Sequence, residues 1–253
     1  MSWLESLPIV LPALLAGTLV LLTHVPLGMQ VLRRGIVFLD LAIAQIAALG
    51  VIVAGSLGLE SPLAVQFAAG IAALLGALLL AWMERRWPEV QEAQIGVLFV
   101  LAACVGILLL AHNPHGDEHL RDLLAGQILW VRLQQLWLPA LLTLLLLPPL
   151  LRAKRLKPLG FYACFALAVT LSVQLVGVYL VFASLIVPAL GTRHYRGGRR
   201  NLVAGLLGSG GYLAGLLLSL ALDLPSGALI VCCIAGLAML AFAVGPKAGV
   251  RTA

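Results

Sequence analysis

The sequence predicts an all-α, polytopic membrane protein, and three observations carry that reading. Hydrophobic residues fill 62% of the 253 positions and charged residues only 10%, with a mean hydropathy of +1.09, a balance that no soluble domain of this size sustains. Apolar runs approaching or reaching the roughly 17–25 residues that a crossing requires recur along the whole chain. Lys and Arg fall almost entirely in alternate short loops between those runs. Too little lies outside the bilayer for a separate soluble catalytic domain, so residues 1–253 read as a single transmembrane domain.

The apolar runs are Leu7–Met29, Ile36–Leu57, Leu63–Met83, Ile95–Ala111, Leu136–Leu151, Leu159–Gln174, Val178–Leu190, Leu202–Leu222 and Leu224–Val244. That makes about nine passes. The seventh run is short and follows its predecessor after only Leu175-Val176-Gly177, so it reads as a short or re-entrant helix broken at Gly177 and stopped by Pro188. The start, MSWLESLPIV, has neither a basic leader nor a small-residue cleavage site, which makes the first run a retained helix.

Charge sets the orientation. With the N-terminus outside, the inner loops collect every Lys and Arg except Arg121 and Arg132 out of 16, as the positive-inside rule requires. An odd number of passes then leaves the C-terminus on the cytoplasmic side. The net charge of +6 is spread over these loops rather than clustered in a folded module, which excludes a nucleic-acid partner. The four cysteines, Cys104, Cys164, Cys232 and Cys233, lie inside apolar runs and read as free, buried thiols. Small-residue clusters such as Ala68-Ala69-Gly70 and Gly208-Ser209-Gly210-Gly211 permit close helix approach in lipid. They fit generic helix packing, with a dimer or pore contact as the alternative.

Against this apolar background a few polar groups stand out. Asp40 lies inside the second run, where an ionisable group costs roughly 2.5–3.5 kcal/mol at a helix centre. An ion or substrate path accounts for that cost. Pairing with Arg33 or Arg34 is the structural alternative, because six residues along one helix put Asp40 roughly 9 Å from Arg34. Gln45, about 140° around the helix from Asp40, is a path candidate or helix–helix glue. His24, followed by Pro26 and Gly28, can be a metal ligand, a proton relay or a hydrogen-bonded interior residue. The outer loop after the fourth run gathers His112, His115, Asp117, Glu118 and His119, borderline ligands suited to Zn²⁺ or Mn²⁺ capture. Pro-His-Gly within it also fits a solvated turn. No nucleophile elbow, Walker A loop or dinucleotide fingerprint occurs, so the chain does not read as an enzyme, and energy must come from an ion gradient or a partner protein.

These residues resemble the membrane permeases of ATP-binding-cassette importers for zinc and manganese. Leu27-Gly28, Val31-Leu32-Arg33-Arg34 and Asp40 are similar to that family's LG…VLRR…GD element. Glu92-Ala93-Gln94-Ile95-Gly96-Val97-Leu98-Phe99 resembles its E-D-x-A-I-G-I-x-F segment, and Asp122–Leu129 its D-L-x-x-x-L-F-G-x-I-L segment. The most specific likeness is Val176-Gly177-Val178-Tyr179-Leu180-Val181-Phe182-Ala183-Ser184-Leu185-Ile186-Val187-Pro188-Ala189, and Pro225-Ser226-Gly227-Ala228 also fits. The resemblance implies a homodimeric permease in a bacterial inner membrane. It further implies a cytoplasmic ATPase in a separate chain, an external metal-binding protein, and Zn²⁺ or Mn²⁺ passing between the subunits by alternating access as cargo rather than as a resident cofactor.

Two departures from the family pattern bear on mechanism. Family members carry a histidine four residues after the aspartate, where this chain has Ala44; His24 is the candidate substitute from the neighbouring helix. The loop Arg152–Lys157 is too short for the family's coupling helix, which needs roughly ten residues for two to three turns. Coupling then falls to Glu84–Glu92 or to the basic segment with Arg193, Arg196, Arg199 and Arg200. A gradient-driven secondary transporter and a non-transporting subunit that binds a partner through the His-rich loop are the competing classes.

Overall fold

The computed structural model describes residues 3–59, 61–110, 128–152 and 157–245. The first helix, α1 (Trp3–Arg34), runs through Pro8, Pro12 and Pro26 and ends only where Gly35 adopts φ 74° and donates its N–H to Val31 O, a left-handed stop that glycine makes without strain. It is therefore longer at both ends than the apolar run predicts. α2 (Leu39–Ser56) follows, then α3 (Pro62–Arg86), which Ser61 caps by accepting from Ala64 N. A 3₁₀ turn at Pro88–Val90 leads into α4 (Gln91–Leu110). Beyond short turns at Ile128–Trp130 and Leu133–Gln135 come α5 (Trp137–Arg152), α6 (Pro158–Val176), α7 (Val178–Gly191), α8 (Gly198–Leu222) and α9 (Ser226–Val244).

Among the described residues eight helices are long and apolar enough to cross a membrane, and α7 is shorter. At 1.5 Å per residue its 14 residues reach about 21 Å, short of a hydrocarbon core of about 30 Å. The expected break at Gly177 is present, with φ 80° and ψ 162°, a region essentially closed to other residues. Pro188, however, does not stop α7, which continues to Gly191. Proline removes one backbone donor, and Thr192 restores a partner to the end of the helix by donating both its N–H and its hydroxyl to Pro188 O.

Several helix ends meet at one end of the bundle. Arg34 Nη1 reaches Glu84 Oε1 at 3.5 Å, joining the ends of α1 and α3, and its guanidinium lies 4.3 Å over the Phe161 ring at the start of α6. Phe38 N donates to Glu92 Oε1 on α4. Arg200 Nη2 donates to Ala189 O at 3.0 Å, bringing α8 onto the end of α7 near Arg33. Arg193 stacks on Phe242 of α9 at 4.6 Å. This basic end shows α7 returning the chain to the side on which α1 finishes, as an odd number of passes demands.

Burial identifies the inner helices. α2 buries eleven of its 18 residues, whereas α4 buries three of 20 and α9 three of 19, so α2 is central and α4 and α9 are peripheral. Glycine makes the close seams: a Cβ on Gly50 would lie 2.8 Å from Ala68 O and 3.0 Å from Ala69 Cα, so α2 and α3 approach backbone to backbone. The second small-residue cluster likewise packs α8 onto Leu21 and Ile234 of the same chain. Both clusters thus contribute to packing within one subunit. The cysteines are free, but Cys104 and Cys232 are exposed and the other two only partly covered, which corrects the buried reading: thiols in peripheral helices can face outward in an apolar run.

Candidate functional site

Asp40 occupies the first turn of α2 and has no exposure at all. Because Gly35 breaks the chain between α1 and α2, Asp40 and Arg34 do not share a helix, and the 9 Å axial count from one continuous helix does not apply. Neither carboxylate oxygen has a hydrogen-bond partner, and the ion pair observed for Arg34 is with Glu84. Asp40 therefore faces neither the outside of the bundle nor a salt bridge to the adjacent arginines. Burying an ionised carboxylate is costly without a positive partner.

His24, on α1, is also fully buried. Its Nδ1 lies 2.9 Å from Val20 O; a carbonyl only accepts, so Nδ1 bears the proton and Nε2 carries the lone pair. Thr23 Oγ1 sits 3.0 Å from the same Nδ1 and donates to Val20 O. The Nε2 atom is buried without a partner. A backbone acceptor fixing one ring nitrogen while the other stays free is the arrangement that metal-binding imidazoles use.

Gln45 is 6% exposed and Ala44 is fully buried beside it. Among the described residues no group of three or more His, Cys, Asp or Glu side chains is disposed to hold a metal. What the helices offer is one buried, unpartnered oxygen donor on α2 and one buried, unpartnered nitrogen donor on α1. His112, His115, Asp117, Glu118 and His119 lie outside the described residues, as does most of the Asp122–Leu129 segment.

Of the basic candidates, Arg193, Arg196 and Arg199 are exposed, whereas Arg200 is half-buried and caps α7. Arg193 Nε donates to His194 Nε2, and the His194 ring packs 4.7 Å from Phe242. The turn between α7 and α8 is thus pinned from inside while Arg196 and Arg199 project outward. Sequence reasoning missed a polar junction at the basic end of the bundle, where Gln91 Nε2 donates to Tyr162 OH and Glu84 adjoins the same hydroxyl. Glutamates flanking both sides of the α3–α4 turn were the available signal.

Comparison with known proteins agrees with this architecture. A profile described as the ABC 3 transport family matches residues 6–157 and 151–245. An uncharacterised membrane protein of Synechocystis sp., slr2045, is 30% identical over 254 residues, covering 91% of this chain and 89% of its own length. The manganese transport system membrane protein MntC of Halalkalibacterium halodurans is 27% identical over 264 residues, covering 95% and 88%. Among solved structures, PsaBC from Streptococcus pneumoniae in complex with Fab superposes with a TM-score of 0.78 at 21% identity, over 96% of this chain and 95% of that one.

Proposed function

Because the chain belongs to the ABC 3 transport family, we propose that it is the permease subunit of an ATP-driven importer of a divalent transition metal, with Mn²⁺ the favoured cargo. The observation that carries the reading is the fully buried Asp40, whose two oxygens have no partner. Carboxylate oxygen and imidazole nitrogen suit both Mn²⁺ and Zn²⁺, and likeness to a manganese transport protein favours Mn²⁺.

In this reading the N-terminus is outside, the basic end lies in the cytoplasm, and two copies work together with a separate ATPase and an external metal-binding protein. The ion arrives from outside, meets the His24 lone pair and the Asp40 carboxylate in turn, and leaves at the basic end as the helices alternate between two packings. His24 takes the place of the histidine that Ala44 lacks. Loss of water from the ion is offset by these donors, and the small number of donors keeps binding weak enough for release.

Coupling falls to the α7–α8 turn. α5 ends at Arg152 and α6 begins at Pro158, which leaves no room for a docking helix between them. The pinned turn with outward Arg196 and Arg199 supplies a rigid, positive surface to an ATPase. Reconstituting the chain with its ATPase in vesicles and measuring Mn²⁺ and Zn²⁺ uptake tests the proposal. Uptake should require ATP and should be lost on Asp40→Ala. Undiminished uptake by that variant removes Asp40 from the path, and uptake that ignores ATP but collapses with the proton gradient replaces the class with a secondary transporter.

A further inference from the structure

Arg33 and Arg34 are adjacent at the end of α1, and Arg34 reaches the carboxylate of Glu84. Arg33 is exposed and lies near Arg200 at the start of α8. Arg200 Nη2 donates to a neutral acceptor, Ala189 O, and its Nε is buried with no partner. Among the described residues no carboxylate pairs with Arg33 or Arg200. Like charges held close repel, and a buried donor without an acceptor costs free energy. An anion between the two guanidiniums offsets both costs.

The two arginines stand at the basic end of a groove of about 180 Å³. Its walls include Leu22 and Pro26 of α1, Leu147 and Leu151 of α5, and Gly205 of α8. Asn201, exposed and next to Arg200, lines the groove where it meets the basic end. The same face of α1 leads to Arg33, which lies seven residues beyond Pro26, about 10 Å along the axis and about 20° around it. On α8 the lining runs from Asn201 to Ser209, about 12 Å, which fits within one leaflet of a hydrocarbon core of about 30 Å. Leu22 and Leu151 are exposed, and nothing lies within 4 Å of a Cβ on Gly205, so the groove opens sideways from the bundle. Thr18, deep in the groove, donates its hydroxyl to Leu14 O and asks nothing of a ligand.

We infer that the groove holds one anionic phospholipid from the leaflet at the basic end, with its phosphate between Arg33 and Arg200 and one acyl chain along α8. Positive charge at the mouth and apolar walls behind it match an amphiphile rather than a soluble anion. A second copy seated here would bring more basic charge to an end that already carries it. Guanidinium groups bind phosphate through paired N–H donors, and the Asn201 amide offers a further donor. Basic pockets between membrane helices are a recurring place for anionic headgroups. The inference concerns contact with the bilayer and stands whether or not the transport reading does.

Native mass spectrometry of the full chain in detergent tests it, with phosphatidylglycerol or phosphatidylcholine of identical acyl chains as the probes. The parent should retain one phosphatidylglycerol per chain, about tenfold more tightly than phosphatidylcholine. Arg33→Gln should weaken phosphatidylglycerol about fivefold and leave phosphatidylcholine unchanged. Arg85→Gln removes the same charge from an exposed position at the end of α3 and should alter neither. Gly205→Leu fills the groove without meeting another residue and should weaken both lipids about tenfold. Equal retention of the two lipids by the parent, or equal effects of Arg33→Gln and Arg85→Gln, overturns the headgroup site. Undiminished lipid binding by Gly205→Leu overturns the acyl-chain site, and loss of a dimer in that variant without loss of lipid gives the groove to a second copy instead.

Discussion

The contact between α1 and α7 gives the sharpest quantitative prediction. A Cβ placed on Gly28 would lie 1.9 Å from Leu185 O, 2.8 Å from Leu185 C and 3.4 Å from Ala189 Cβ. A carbon and a carbonyl oxygen rest at about 3.3 Å or more, so Gly28→Ala forces the two helices apart by about 1.4 Å. Both atoms at the closest approach belong to backbone, and no side-chain rotation relieves the clash. Overpacking then costs near the upper end of the usual range, about 3 kcal/mol. At about 2–4 °C per kcal/mol for a chain of this size, melting should fall by about 6–12 °C. Gly70→Ala is the internal control: nothing lies within 4 Å of its Cβ, and alanine in a helix is better than glycine by about 0.5–1 kcal/mol. Thermal unfolding of the purified protein in detergent, followed by the fluorescence of its five tryptophans, reads both variants. If Gly28→Ala melts within about 2 °C of the parent, or Gly70→Ala falls as far, the close approach of α1 and α7 is wrong.

Other variants probe other parts of the argument. Asp40→Asn keeps the side-chain shape but removes the charge, and should lower ATP-dependent Mn²⁺ uptake at least about tenfold without lowering the amount of folded protein; equal uptake per molecule contradicts the role of the carboxylate. Gly177→Ala imposes a strained backbone at the α6–α7 break and should cost about 1–3 kcal/mol, visible as earlier melting. Tyr212→Phe removes the hydroxyl that lies 2.9 Å from Ser184 Oγ; because Ser184 also donates to Leu180 O, the loss should stay near 0.5–1.5 kcal/mol in the same melting assay. Reversing the exposed charges with Arg196→Glu and Arg199→Glu should weaken capture of the ATPase about tenfold or more while melting is unchanged, measured by co-purification at fixed salt.

Much of the fold was legible because lipid imposes a blunt rule: apolar length and loop charge. The runs located every described helix, and the arginine-bearing loops do meet at one end. Errors came where local chemistry overrides that rule. α1 runs on past Met29 to Arg34, where Gly35 stops it, and Pro188 lies inside α7 rather than closing it. The isolation of Asp40 was foreseeable only in part. Sequence marks a costly acid, but whether Arg34 neutralises it depends on the turn at Gly35, which sends the guanidinium to Glu84 instead. A glutamine-lined groove was illegible for a different reason: Gln66, Gln134 and Gln174 are far apart in the chain and individually ordinary, and they meet only where α3, the Leu133–Gln135 turn and α6 come together.

The single-residue break at Gly177 has a mechanical consequence. Val176 and Val178 on either side of it are buried, so α7 is pivoted at its inner tip within the protein and tethered at the other by Thr192 and Arg200. A rod of about 21 Å turning by roughly 5° about such a pivot swings its far tip by nearly 2 Å. A pull on the arginine-bearing turn is thereby converted into tilt rather than stretch, and the helix can act as a crank whose fulcrum is one residue without a side chain.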